Sequence, residues 1–303
     1  MRSSLVSSLF IFVSSVVAWG DVGHRTVGYL AEKYFSDEGK EFVHSLLANE
    51  NDWDISDAAT WADVIKYHRP YSREWHYIDA KDDPPHHCDL QLLRDCPQDG
   101  CIISQIVNQT NLVLDTSNSH TTRREALMYI IHFIGDLHQP LHTERMARGG
   151  NGIHTCFDHR CSRENLHGIW DTDIVHKLNG LRHSEKHDTL KDAAAKWGRV
   201  LFDQAQGQSA QAEECNDVKE PEHCALAWGQ EANGLVCSYV MKPGVEWLEK
   251  NDLGGEYFEG AAPIVAAQIS RAGTRLGAYV NALAAEIAKG TPAIPVAGKR
   301  FDL

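Results

Sequence analysis

The segment Thr122–His142, TRREALMYIIHFIGDLHQPLH, decides the fold of this 303-residue chain. Thr122 and Glu125 have the spacing of a capping box, so a helix is predicted to open there. It should run to about Leu137, with Pro140 just past its end. Within it His132 and Asp136 are four residues apart and share one face. Their neighbours are apolar (Tyr129-Ile-Ile-His-Phe-Ile134), and buried charge needs a partner. A metal ion is a good one, since imidazole and carboxylate are ligands that zinc accepts. His142 follows the helix-ending Gln139-Pro140, where a loop can aim its ring back at the same place.

Working outward, the spacing recurs in His167-Gly-Ile-Trp-Asp171. A single such pair is weak evidence, because surface helices often carry i, i+4 ion pairs. Two of them in apolar surroundings are harder to dismiss. Asn165 can cap a helix over Leu166–Leu178. Further helices are predicted over Ser56–Tyr67, Lys186–Ala205 and Pro221–Met241, the last with proline at its first position. Gly255–Ala288 reads as a long Ala-rich helix with an irregularity at Pro263. Residues 79–101 and 143–165 read as loops, and strand-like alternation is weak and confined to 151–158. There is no internal repeat, and one all-α domain is the simplest organisation.

Composition narrows the function. Acidic residues outnumber Lys and Arg, for a net charge of −13, which argues against binding nucleic acid through a broad basic surface. It leaves open a protein that meets phosphate through bound cations. Leu5–Val17 is apolar but too short to span a bilayer; with Arg2 before it and Val16 and Ala18 at the −3 and −1 positions, residues 1–18 read as a signal peptide. The expected mature chain is 19–303, secreted, with no membrane span. All eight cysteines fall in it: Cys88, Cys96, Cys101, Cys156, Cys161, Cys215, Cys224 and Cys237. In an oxidising compartment an even number reads as disulfides. Eight cysteines allow 105 pairings. Loop size ranks first the map with Cys96–Cys101, Cys156–Cys161 and Cys215–Cys224, leaving Cys88 for Cys237. No C-x-x-C is present to suggest a cysteine-ligated zinc. Asn108-Gln-Thr110 is a glycosylation sequon.

Three further features concentrate ligands. Trp61-Ala-Asp63 places a carboxylate on an apolar helix face, and Trp75-His76-Tyr77-Ile78-Asp79 places a histidine in an aromatic run. Trp19-Gly-Asp-Val-Gly-His24 follows the expected cleavage point, where a free α-amino group loses its proton readily enough to bind a metal. Taken singly, each reads as a satisfied core histidine or a paired aspartate. Together they make a density of ligands that burial alone does not explain.

The set WGDVGH, WAD, WHYID, HFIGDLHQPLH, GGNG and HGIWD, with YFEGAAPIVAAQISRAGTRL near the end, resembles the secreted zinc-dependent single-strand-specific nucleases of fungi and plants. That family shares its all-helical fold with bacterial zinc-dependent phospholipase C. The resemblance covers the whole mature chain and implies three Zn2+. Asp63, His76, His132 and Asp136 would hold one; Trp19 and His24, with Asp136 shared, a second; His142, His167 and Asp171 a third. It also implies bridges Cys96–Cys101 and Cys88–Cys237, with the other two pairs as additions.

The implied reaction is hydrolysis of single-stranded DNA, RNA and 3′-nucleotides to 5′-phosphate products, by a hydroxide between the paired zincs. Asp63 would orient that nucleophile, and Lys66 and Asn151 would contact the scissile phosphate. Tyr77 would stack on an unpaired base and Asp79 would bond its edge, which explains a single-strand preference. The protein is expected to act as a monomer. His138 is expected behind the metal face, and His86, His87, His159, His183, His187 and His223 in solvent. Two alternatives stand beside this: a phospholipase C-type phosphoesterase on the same fold, and a non-catalytic secreted zinc protein. Against the first, no Trp/Leu-rich membrane-docking segment is apparent.

Overall fold

Helix α6, His120–Leu137, organises the structure, a computed structural model that describes residues 19–48, 54–206 and 215–290. From Ala126 to Leu137 every residue of α6 is buried, so neighbours enclose it on all sides. They are α1 (Asp21–Glu32), α2 (Asp37–Leu47), α3 (Ile55–Ile65), α5 (Ile102–Leu114), α10 (Pro221–Leu235) and α12 (Glu256–Ala288), all of which touch α6. Helix α1 also lies against α3, α12 and α9 (His187–Gln206). The shorter helices are α4 (Leu92–Asp95), α7 (Leu166–Gly168), α8 (Ile174–Leu178) and α11 (Val245–Lys250). The fold is all-α; among the described residues there are isolated bridges but no strand, and those of 154–157 lie in the stretch of weak alternation. No described helix is long and apolar enough to cross a membrane.

The ends of the elements follow local chemistry. Asp54 caps α3 in a reciprocal box, its carboxylate accepting from Ser56 N–H (2.9 Å) while Asp57 accepts from Asp54 N–H (3.2 Å). The capping box expected at Thr122–Glu125 does not form. Ser119 is the N-cap, accepting from Thr122 N–H at 3.1 Å, and α6 starts at His120. Glu125 has a stronger use: both its oxygens take the guanidinium of Arg69, at 2.7 and 2.8 Å. Helices α9 and α12 match their expected spans to within a residue, and α12 runs unbroken through Pro263, which sits on the exposed face. Asn165 caps as expected, accepting from Gly168 N–H at 2.9 Å. The helix it opens is not uniform: α7 and α8 are joined by a π turn, Ile169–Asp173. Likewise α10 passes into a π turn, Val236–Val240. The expected loop 79–101 contains the short α4.

Four disulfides join Cys88–Cys237, Cys96–Cys101, Cys156–Cys161 and Cys215–Cys224. The sequon sits inside α5 rather than in a loop, with the Thr110 hydroxyl buried against Tyr279 Oη at 2.7 Å. The expected signal peptide, 1–18, lies outside the described residues.

The bridges differ in what they restrain. Cys88–Cys237 closes a separation of 149 residues, and Cys156–Cys161 one of 5. Loop-closure entropy then predicts a loss of about 5 kcal/mol for the Cys88→Ala/Cys237→Ala pair against about 2 for Cys156→Ala/Cys161→Ala. Denaturant unfolding of the two double variants should show that order; equal losses would mean the long bridge does not act through chain entropy.

Candidate metal centre

Residues from seven elements converge at the C-terminal half of α6. His132 and Asp136 come from α6 itself, His24 from α1 and Asp63 from α3. His76 ends the 3-10 turn Pro70–His76, and His142 lies in the 3-10 turn Pro140–Thr143. His167 lies in α7, and Asp171 in the π turn that follows. All eight are buried. The His24 ring stacks on His132 with centroids 3.9 Å apart, which needs glycine on α6: a Cβ at Gly135 would lie 2.9 Å from His24 Nδ1.

Asp136 faces two ways. Its Oδ2 lies 3.0 Å from His76 Nδ1 and 3.1 Å from His132 Nε2, and its Oδ1 lies 3.0 Å from His24 Nε2. Asp63 Oδ1 stands 3.7 Å from His132 Nε2 and 3.9 Å from His76 Nδ1. His76, His132 and Asp136 form one potential ligand group; His24, Asp63 and His132 form another. His142, His167 and Asp171 form a third, with His167 Nε2 3.1 Å from Asp171 Oδ2 and the two imidazoles stacked 5.0 Å apart.

Ring orientation is fixed from behind. His132 Nδ1–H donates to the Ala59 carbonyl (2.7 Å), His142 Nδ1–H to that of His76 (2.8 Å) and His167 Nδ1–H to that of Gly149 (2.6 Å). A carbonyl only accepts, so each Nδ1 carries a proton and each Nε2 turns a lone pair inward. Several inward atoms then find no partner. His24 Nδ1, His76 Nε2 and His142 Nε2 are buried and make no hydrogen bond, while His24 Nε2, His167 Nε2 and Asp136 Oδ1 meet only an opposite charge, without hydrogen-bond geometry. Leaving such groups unpaired costs about 1–3 kcal/mol each. Neighbouring ligands of tetrahedral zinc lie ~3.3 Å apart, close to the spacings here. The donor set therefore fits metal ions.

The charges agree. Burial opposes ionisation of Asp136, but His132 and His24 outweigh it and hold the carboxyl well below its usual range. Asp63 is lowered in the same way, against burial, chiefly by His132 and Lys66. Burial pushes His76 down to about 4 and also lowers His142. His132 and His167 are raised in spite of burial, by Asp136 and by Asp171 respectively.

The remaining expected residues surround this cluster. Trp19 is fully buried; its indole N–H donates to the Gly135 carbonyl (2.8 Å), and Gly20 N–H donates to the carbonyl of Asp171 (2.7 Å). Residue 19 is thus pinned between Gly135 and the segment of Asp171. Lys66 is buried, its ammonium 2.5 Å from Asp63 Oδ1. Tyr77 is half-buried, and burial pushes its hydroxyl up to about 12; burial also raises Asp79. Asn151 donates to the Arg148 carbonyl (2.8 Å), in the turn whose Gly149 carbonyl holds His167. His86, His87, His159, His183, His187 and His223 are all exposed. Gln139, fully buried with its amide 2.5 Å from Asp171 Oδ1, is the neighbour that the motifs did not single out. Its residue type carries no ligand signal, and only its place before Pro140 could have drawn attention to it.

An all-helical, disulfide-stapled fold encloses three groups of His and Asp that could hold metal ions. Comparison with known proteins makes this specific. Residues 19–285 match the S1/P1 nuclease family, and the chain belongs to it. Nuclease S1 of Aspergillus oryzae is 34% identical over 270 residues, covering 88% of this chain and 92% of its own. Nuclease P1 of Penicillium citrinum is 36% identical over 281 residues, covering 89% and 100%. Endonuclease 4 of Arabidopsis thaliana is 31% identical over 294 residues, covering 89% and 90%. The activity that follows from the family is that of a hydrolytic nuclease, acting on nucleic acid.

His138 supplies a test of the packing behind the centre. Its Nδ1–H donates to the Ile134 carbonyl (2.7 Å), and its Nε2 accepts from Arg275 (2.9 Å), so the ring is neutral. Burial, reinforced by Arg275, pushes it down from 6.5 to about 3. Across that window the unfolded state binds the extra proton, so stability falls as pH falls. Denaturant midpoints of metal-free protein should drop over this range. His138→Gln, whose side-chain oxygen can still accept from Arg275, should flatten the drop; an unchanged slope would place the acid sensitivity elsewhere.

Proposed function

We propose that this protein is a secreted, zinc-dependent single-strand-specific nuclease and 3′-nucleotidase that leaves 5′-phosphate products. The observation that carries this is Asp136, whose two buried oxygens face two different sets of imidazoles, the arrangement of a carboxylate shared by two cations. Asp63, His76, His132 and Asp136 would hold the first zinc; Trp19, through its backbone, with His24 and Asp136 the second; His142, His167 and Asp171 the third. For Trp19 to bind through its α-amino group, the leader must be removed after Ala18, leaving one domain over 19–303. Zinc bound there supplies an attacking water of lowered pKa and positive charge to meet the phosphodiester.

The chain's own groups do the rest. Lys66 holds Asp63 ionised and brings a cation to the scissile phosphate. Asp63 orients the attacking water as well as ligating. Asn151 contacts a phosphate oxygen once its amide leaves the Arg148 carbonyl. Tyr77 gives an unpaired base a face to stack on, and Asp79 accepts from the base edge. Bases held in a duplex are not available to such a platform, which makes single strands the substrate. Concentrating positive charge at one place lets the rest of the surface stay acidic, at −13 overall. A glycan on Asn108 would have to be added before α5 folds around the sequon.

Zinc-loaded protein should cleave single-stranded DNA and RNA, act weakly on duplex DNA and leave phosphatidylcholine intact. Chelation should abolish cleavage and lower the melting temperature, because metal binding is also folding energy. Turnover that survives complete zinc removal, verified by elemental analysis, would end this reading; preference for phosphatidylcholine would favour the phospholipase alternative.

Tyr77→Ala should weaken single-strand and 3′-nucleotide binding by about 5- to 150-fold, from ~1–3 kcal/mol of stacking. It should spare a phosphodiester that has no base. Equal loss on the base-free substrate would make Tyr77 a packing residue only.

A further inference from the structure

Gln139 is fully buried, and all four of its polar groups are engaged by ligand-bearing elements. Its backbone N–H donates to the Asp136 carbonyl (2.9 Å), and its backbone carbonyl accepts from His142 N–H (3.0 Å). Its side-chain oxygen accepts from Leu141 N–H (2.6 Å). Its side-chain NH2 reaches Asp171 Oδ1 at 2.5 Å. The orientation of the amide is settled by its partners. The Leu141 N–H can only donate, so Oε1 must face it, and the group facing Asp171 is the donor.

From this we infer that Gln139 is a positioning residue that makes Asp171 a one-oxygen ligand of the third metal. One Asp171 oxygen is occupied by the amide, and the other, Oδ2, is left beside His167 Nε2 at 3.1 Å. The same side chain fixes the turn Pro140–Thr143 through Leu141, and so sets where His142 stands. Asp171 needs such a constraint. It lies in the π turn Ile169–Asp173, where the backbone departs from regular α-helix and does not by itself fix the angle of the carboxylate to His167. On Asp136, by contrast, both oxygens face histidines. Gln139 thereby limits the third group to one oxygen and two imidazoles, three protein ligands with a position left over, as catalytic zinc sites have.

This rests on the reading of His142, His167 and Asp171 as metal ligands. Two variants separate the amide's two contacts. Gln139→Met keeps the volume and loses both the donor and the acceptor. Gln139→Glu keeps the acceptor for Leu141 N–H but sets a carboxylate against Asp171. Stepwise zinc affinities are measured by competition with a chromophoric chelator, with circular dichroism to check folding. The expected result is three zincs in the wild type. The loosest should weaken by ~10–100-fold in Gln139→Met and further in Gln139→Glu, while the other two keep their affinities. If the amide only capped the turn, the order would reverse, with Gln139→Glu near wild type; that order, or an unchanged loosest zinc in both, overturns the inference. Should Gln139→Met fail to fold, Gln139→Glu alone decides it. Wild-type protein that binds only two zincs would sink the reading of the third group, and the inference with it.

Discussion

Everything in this structure depends on keeping one carboxylate ionised in a place with no water. Asp136 is fully buried, in the stretch of α6 from Ala126 to Leu137 where every residue is buried. An isolated charge there would cost several kcal/mol, and the usual escape is to take up a proton. Instead His76, His132 and His24 crowd its two oxygens and hold it ionised. Those imidazoles are themselves locked: Ala59 holds His132, and Gly135 makes room for His24. The helices around α6 are therefore a scaffold for angles as much as an apolar core.

The same logic extends outward by one layer. Carbonyls of His76 and Gly149 aim His142 and His167. Gly149 can do so because Ala147, Arg148, Gly149 and Gly150 run in succession through positive φ, from 49° to 78°. Two of those are not glycine, and left-handed backbone there costs of order 1–3 kcal/mol each. The strain is held in the turn that carries Asn151, beside the group of His142, His167 and Asp171.

Much of this was legible in the sequence because ligand chemistry and helix period reinforce each other. His132 and Asp136 on an apolar helix announce both an enclosed element and a charge that needs a partner. The family motifs then drew in ligands from distant parts of the chain. Three things were not legible. The start of α6 is ambiguous in the sequence because Ser119 and Thr122 both can cap, and nothing local shows that Arg69 claims Glu125. The π turn at Ile169–Asp173 arises from packing, since Trp170 donates to Tyr257 Oη at 2.9 Å, a contact with α12 far along the chain. The start of α1 is not marked in the sequence, because Gly20 before it has no side chain to cap the helix.

The layout has a consequence for synthesis. Every proposed ligand has been made once the chain reaches Asp171, yet the helices that shut the pocket come later. Arg275 and Gln268, on α12, brace His138, and α12 lies along α1, which carries His24. Cys88 must also wait for Cys237. A half-made chain thus offers every proposed ligand before α12 can pack along α1 and brace His138. Trimming α12 from the finished protein would have the same effect: it removes no ligand, and would still dismantle the centre.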